Sequence, residues 1–150
     1  ANAFGCEVLA YSRSRKELPG VRYVELSELL QESDIISLHV PLTEQTKGLI
    51  GKEELAQMKK SAILINTARG PVVDSAALAE ALKSGQIAGC GIDVFEQEPP
   101  MKDHPLYHTP NTLITPHIGF ATIEALQKRA KIAYENIAAW RAGNPQNRVD

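Results

Sequence analysis

Cysteine is scarce: Cys6 and Cys90 are the only two in 150 residues. They lie far apart and form neither a CxxC pair nor a multi-cysteine framework. That excludes a disulfide-stapled fold, leaves no metal site to be read, and favours a reducing compartment. Both are expected to be small buried apolar residues. Long hydrophobic runs are also missing. None approaches the roughly 20 residues that cross a bilayer, and the N-terminus lacks the basic-then-apolar layout of a signal peptide. A cytosolic setting without a membrane partner is expected. Nor is there an excess of charge of one sign. The formal net charge is -2, and the basic residues are dispersed except at Arg13 to Lys16. No broad electrostatic footprint for nucleic acid is visible. Internal repeats and low-complexity segments are absent, and the prolines fall mostly in connections.

What is present suits one ordinary globular domain. Hydrophobic residues make up 43% and charged residues 23%, enough for a real core at this length. Apolar strand-like runs alternate with helix-like stretches, which predicts an α/β fold with a parallel sheet. The predicted strands are Glu7 to Tyr11, Asp34 to His39, Ala62 to Thr67, Ile87 to Val94 and Thr112 to Ile114. Ser27 is expected to cap a short helix that buries Leu26, Leu29 and Leu30. Leu55 and Met58 mark the next helix. Asp74 caps the one after, with Leu78, Ala81 and Leu82 inward and a stop at Gly85. The longest helix begins near Thr122, with Glu124 in its first turn. It carries Leu126, Ala130, Ala133, Ile137 and Trp140 at helical spacing and ends at Gly143 and Pro145.

Arg69, Glu98 and His117 each stand just beyond a predicted strand. An arginine can clamp a carboxylate with two parallel hydrogen bonds. A histidine can deliver a proton near neutral pH, and a glutamate can hold that histidine charged. Taken singly, each has a plainer reading: a surface ion pair, a structural histidine, a solvated loop carboxylate. Glu96 competes with Glu98 for the last of these roles.

Four strings tie the three residues together: S-D-I-I-S-L-H-V-P-L-T-x-x-T-K-G-L-I from Ser33 to Ile50, I-L-I-N-T-A-R-G-P-V-V-D from Ile63 to Asp74, G-I-D-V-F-x-x-E-P from Gly91 to Pro99 and T-P-H-I-G from Thr115 to Gly119. In order and spacing they closely resemble the D-isomer-specific 2-hydroxyacid dehydrogenases, over nearly the whole chain. The resemblance implies a Rossmann-type doubly wound sheet and hydride transfer between a nicotinamide dinucleotide and a small 2-oxo acid or 2-hydroxy acid, as in glyoxylate and hydroxypyruvate reductases. It implies that Arg69 binds the substrate carboxylate. His117 protonates the carbonyl oxygen, and Glu98, picked by the family register, keeps His117 charged. Formate-oxidising relatives are disfavoured, since they resemble this pattern with glutamine at the Glu98 position.

The cofactor contacts follow by the same resemblance. Val40, Pro41 and Thr46 would line the adenosine and ribose side. Thr67 and Ala68, beside Arg69, would approach the nicotinamide ribose, Asp93 would hold the nicotinamide amide, and Gly119 would allow close backbone approach. Ser12 and Arg13 open a turn, Ser12 to Lys16, without the carboxylate that accepts a ribose hydroxyl; this favours NADP, with NAD possible. One departure stands out: no strand running into G-x-G-x-x-G opens the chain. Ala1 to Gly5 reads as the last turns of the helix that should follow it. Residues 1–150 are therefore expected to be a partial dinucleotide-binding domain, inactive alone, with 121–150 leading back to an absent substrate domain. The missing central strand would leave a gap between the Glu7 to Tyr11 and Ala62 to Thr67 strands. Another chain could fill that gap in a swapped dimer. A homodimer is expected from the stripe on the last helix and from family habit. A cofactor-sensing, corepressor-like module is the alternative of a different class.

Overall fold

A computed structural model describes residues 1–149. Strands and helices follow in the order β1 (Val8–Ala10), β2 (Val21–Tyr23), α1 (Leu26–Glu32), β3 (Ile35–Leu38), α2 (Lys52–Gln57), β4 (Ile63–Asn66), α3 (Ser75–Lys83), β5 (Gly89–Ile92), β6 (Thr112–Ile114) and α4 (Ile123–Arg141). The chain divides into two compact units, Ala1–Pro116 and His117–Asp150.

In the first unit every strand pair is parallel, as the alternation of elements predicts. The strands form a β1-β2 pair and a four-stranded sheet ordered β3-β4-β5-β6. This is the α/β, Rossmann-type arrangement. Successive residues of a strand point to opposite faces. Ile36, Leu38, Leu64, Cys90 and Ile92 accordingly turn into the core, where they meet Leu30 of α1, Leu55 of α2 and Leu78 and Leu82 of α3. The alternate residues Ile35, Ile63 and Leu113 are exposed. Asp74 caps α3 as expected, accepting from the backbone N–H groups of Ala76 and Ala77 at 3.0 Å. Glu54 of α2 reaches back to the N–H of Gly51 at 3.0 Å.

The strands are mostly shorter than predicted, and one was missed. β2 holds only three residues, too few for a visible alternation. Its central Arg22 turns to solvent, where it pairs with Glu7 at 3.4 Å and with Glu28 and Glu32. Such exposed pairs orient the elements more than they stabilise them. Once β2 is counted, the neighbours change. The strand at Asp34 to His39 pairs with the strand at Ala62 to Thr67, in the register Ile35↔Ile63 to Leu38↔Asn66. β4 is thus paired on both sides, with β3 and β5, so the break expected beside it is not there; the strands part instead into the β1-β2 pair and the β3-to-β6 sheet.

Other expectations also change. Helix α1 begins one residue before Ser27, with Glu25 at the cap position and no side-chain cap bond. Cys90 is buried, but Cys6 is exposed because it lies in the link between a 3-10 turn, Asn2–Phe4, and β1. In the second unit α4 starts as expected, the Thr122 hydroxyl accepting from the N–H of Ala125 at 3.1 Å. No residue of α4 is buried, however, so Leu126, Ile137 and Trp140 remain exposed.

Leu64 is fully buried on the central strand β4. Replacing it with alanine should cost about 2–5 kcal/mol, read as a lower denaturant midpoint at constant m. A loss under about 0.5 kcal/mol would mean that this core does not carry the fold.

Candidate active site

The parallel register sets Leu38, Asn66, Ile92 and Ile114 level across the sheet. The segments that leave these strands therefore emerge along one edge, the carboxyl edge, where open parallel sheets bind their ligands.

After β4 the chain turns sharply, and a side chain with no assigned role shapes the turn. Asn66 is 1% exposed. Its Oδ1 accepts from the N–H of Ala68 at 3.0 Å, and its Nδ2 donates to the carbonyl of Arg69 at 3.0 Å. The signal was an asparagine at a strand end, where its side chain can mimic a backbone turn. Arg69 is thereby held in extended backbone, φ −149°. The residue is exposed, with Nη1 donating to the carbonyl of Ala68 at 2.6 Å.

Gly70 follows, and here the absence of a side chain matters. A Cβ at this position would fall 1.9 Å from the carbonyl carbon of Phe95 and 2.3 Å from the nitrogen of Glu96. Only glycine lets the segment after β4 lie directly on the segment after β5. Two residues past Glu96, Glu98 is exposed, and its Oε1 accepts from the N–H of Phe95 at 3.1 Å. Close packing of two loops thus brings Arg69 and Glu98 onto the same edge.

Asp93, at the end of β5, is 5% exposed. Its carboxylate accepts from the Thr115 hydroxyl, and its N–H donates to the carbonyl of Asn66 at 3.0 Å. It therefore ties the ends of β4, β5 and β6 together. Thr115 is a second residue that sequence reasoning passed over, although it opens the T-P-H string.

Glu96, the rival of Glu98, is engaged elsewhere. The Ser75 hydroxyl donates to its Oε1, and Nε2 of His104 lies 3.1 Å from its Oε2. Burial pushes this carboxyl up, but hydrogen bonds from Ser75, the backbone and His104 outweigh burial and hold it below the ordinary range.

Of the expected cofactor contacts in the first unit, Ser12, Arg13, Pro41 and Thr67 are exposed, while Val40 is partly buried and Ala68 buried. The Thr46 hydroxyl holds its own loop, donating to the carbonyl of Pro41 at 2.6 Å and accepting from the N–H of Thr43 at 2.8 Å. His117 and Gly119 belong to the second unit. His117 has a left-handed backbone, φ 55°. Its ring meets Phe120 edge-on at 5.8 Å, and the Arg129 guanidinium lies 5.5 Å above the Phe120 ring.

The family described as D-isomer specific 2-hydroxyacid dehydrogenase, NAD binding domain, matches residues 1–119. The chain is 49% identical to a glyoxylate reductase of Korarchaeum cryptofilum over 156 residues, covering 100% of this chain and 47% of that protein. Among solved structures, the D-lactate dehydrogenase of Lactobacillus jensenii with NAD+ superposes with a TM-score of 0.92 at 36% identity, covering 99% of this chain and 49% of that one. A D-isomer specific 2-hydroxyacid dehydrogenase of Xanthobacter autotrophicus, in complex with NADPH and MES, superposes with a TM-score of 0.81 at 42% identity, covering 97% and 62%. The chain spans about half the length of the curated relatives it matches.

Gly70→Ala should force apart the two segments that carry Arg69 and Glu98, at a cost of about 3 kcal/mol. Chemical unfolding measures this; stability within about 0.5 kcal/mol of the parent would show that the contact is dispensable.

Proposed function

Because this chain belongs to the D-isomer specific 2-hydroxyacid dehydrogenase family, matching its NAD binding domain over residues 1–119, we propose that it serves an oxidoreductase that interconverts a small 2-oxo acid and the D-2-hydroxy acid. The observation that carries this reading is the level edge of β3 to β6, from which the family's own strings deliver Arg69, Asp93 and Glu98. The names of the relatives point to the same substrates.

Residues of the first unit suit a dinucleotide. Ser12 and Arg13 after β1 offer a hydroxyl and a cation, Thr67 and Ala68 are small enough for close approach, and Asp93 is a buried acceptor fixed by Thr115. When bound, the reduced nicotinamide supplies the hydride.

The rest falls to the protein. Arg69 grips the substrate carboxylate and, by its charge, polarises the neighbouring carbonyl, a task for which the planar guanidinium is better matched than an ammonium. His117 gives its proton to the carbonyl oxygen and takes one back in the oxidative direction. Glu98 favours the imidazolium form of His117, so that the proton is available near neutral pH. A pure cofactor sensor needs none of these three side chains, and their joint presence favours the enzyme. For the cofactor itself, the hydroxyls and cations of Ser12 to Lys16 support NADP over NAD. The chain carries no G-x-G-x-x-G, which supports a reading in which residues 1–150 alone are inactive. A homodimer completes the proposal, and the exposed apolar side chains of α4 support it.

In the complete enzyme His117→Asn, which tolerates the left-handed backbone, should lower kcat by about 100-fold or more and leave cofactor affinity nearly unchanged. Turnover within a factor of about three of the parent would refute the assignment. Glu98→Gln should lower kcat by about 10-fold or more and leave KM for the dinucleotide nearly unchanged; turnover equal to that of the parent would refute the role given to Glu98. Arg13→Ala should raise KM for NADPH by about 10-fold and leave KM for NADH little changed; the opposite pattern would reverse the cofactor preference.

A further inference from the structure

Glu96 has no part in the chemistry proposed above, yet it is held firmly two residues before Glu98. Both of its oxygens are taken: Oε1 by the Ser75 hydroxyl and Oε2 by Nε2 of His104 at 3.1 Å. The histidine's other nitrogen, Nδ1, accepts from the N–H of Leu106 at 3.4 Å. A ring that accepts at Nδ1 carries its proton on Nε2, so His104 donates to the carboxylate. The anchors are themselves fixed. Ser75 opens α3, and the His104 side chain is only 11% exposed. Phe95, one residue before Glu96, is buried, with its ring edge-on to His104 at 5.0 Å. From below, Gly70 receives the backbone between Phe95 and Glu96. The same Phe95 presents its N–H to Oε1 of Glu98. Two charge-assisted bonds, one ring contact and one close backbone contact therefore converge on the short segment whose backbone holds Glu98.

We propose that Glu96, clamped between Ser75 and His104, is a positioning residue that sets the place of Glu98 for the reduction. This rests on the role given to Glu98 above. The carboxylate of Glu96 touches no reacting group; it acts by holding Phe95, and through Phe95 the acid beside it. A tuning carboxylate must be placed finely, since a displacement of about 1 Å can cost up to about 100-fold in rate.

The test is steady-state kinetics on the complete enzyme with Glu96→Ala, Glu96→Gln and Glu98→Gln, singly and with Glu96→Ala and Glu98→Gln combined. Glu96→Ala should lower kcat by about 10-fold and leave KM for the dinucleotide within about two-fold. Glu96→Gln should recover most of the loss, because the amide can accept from His104 and donate to Ser75. In the Glu98→Gln background Glu96→Ala should cost no further turnover, since the two act through one group. An equal loss in both backgrounds overturns the proposal and leaves Glu96 a structural residue. So does unchanged turnover in Glu96→Ala when Glu98→Gln is impaired. Unchanged behaviour of Glu98→Gln by itself overturns the role of Glu98, and this inference with it. If Glu96→Ala fails to fold, Ser75→Ala removes one link to the same carboxylate, with a smaller loss expected and the same dependence on Glu98.

Discussion

The parallel hydrogen-bond register of β3 to β6 is the constraint on which the rest depends. Parallel pairing with matched ends puts Leu38, Asn66, Ile92 and Ile114 in one row. Everything chemically interesting in the first unit begins one or a few residues beyond that row. The row is kept in place from beneath by a continuous apolar layer, in which Leu64 and Ile92 meet Leu78 and Leu82 of α3. A slip of one residue would turn that layer outward and reverse every side chain. The core therefore specifies the edge, and the edge specifies where charge is displayed.

Above the row the architecture changes character. Hydrophobic packing gives way to short polar braces: Asn66 across its own turn, Thr115 onto Asp93, Ser75 and His104 onto Glu96. Each satisfies a group that burial would otherwise leave costly, and each limits the freedom of a loop. Gly70 adds the complementary device, a contact closed by removing atoms rather than adding them. The loops beyond the row are thus given much of the rigidity of the strands that feed them.

Much of this was legible in the bare chain, for reasons that are physical. The four family strings sit where strands end, and the cap at Asp74 and the start of the last helix near Thr122 were visible because a side-chain oxygen before an apolar periodic run suits a helix N-terminus. The inward leucines of α3 followed from spacing alone. What escaped notice was short or relational. β2 has three residues and a charged centre, so it left no pattern, and its omission misplaced the break in the sheet. Asn66, Gly70 and Thr115 stood inside strings that had been read for Arg69 and His117, but a string does not say which atoms meet. Cys6 showed that apolar chemistry does not ensure burial where the local backbone has no layer above it.

The left-handed backbone at His117 has one more consequence. Few residues are at ease there: glycine, and among those with side chains chiefly asparagine, aspartate and histidine. Of that small alphabet only histidine exchanges a proton close to neutrality. The shape of the main chain thus narrows the vocabulary at position 117 before any demand on reaction rate is made. A lineage keeping this bend would have little room to place another titratable residue type at this position.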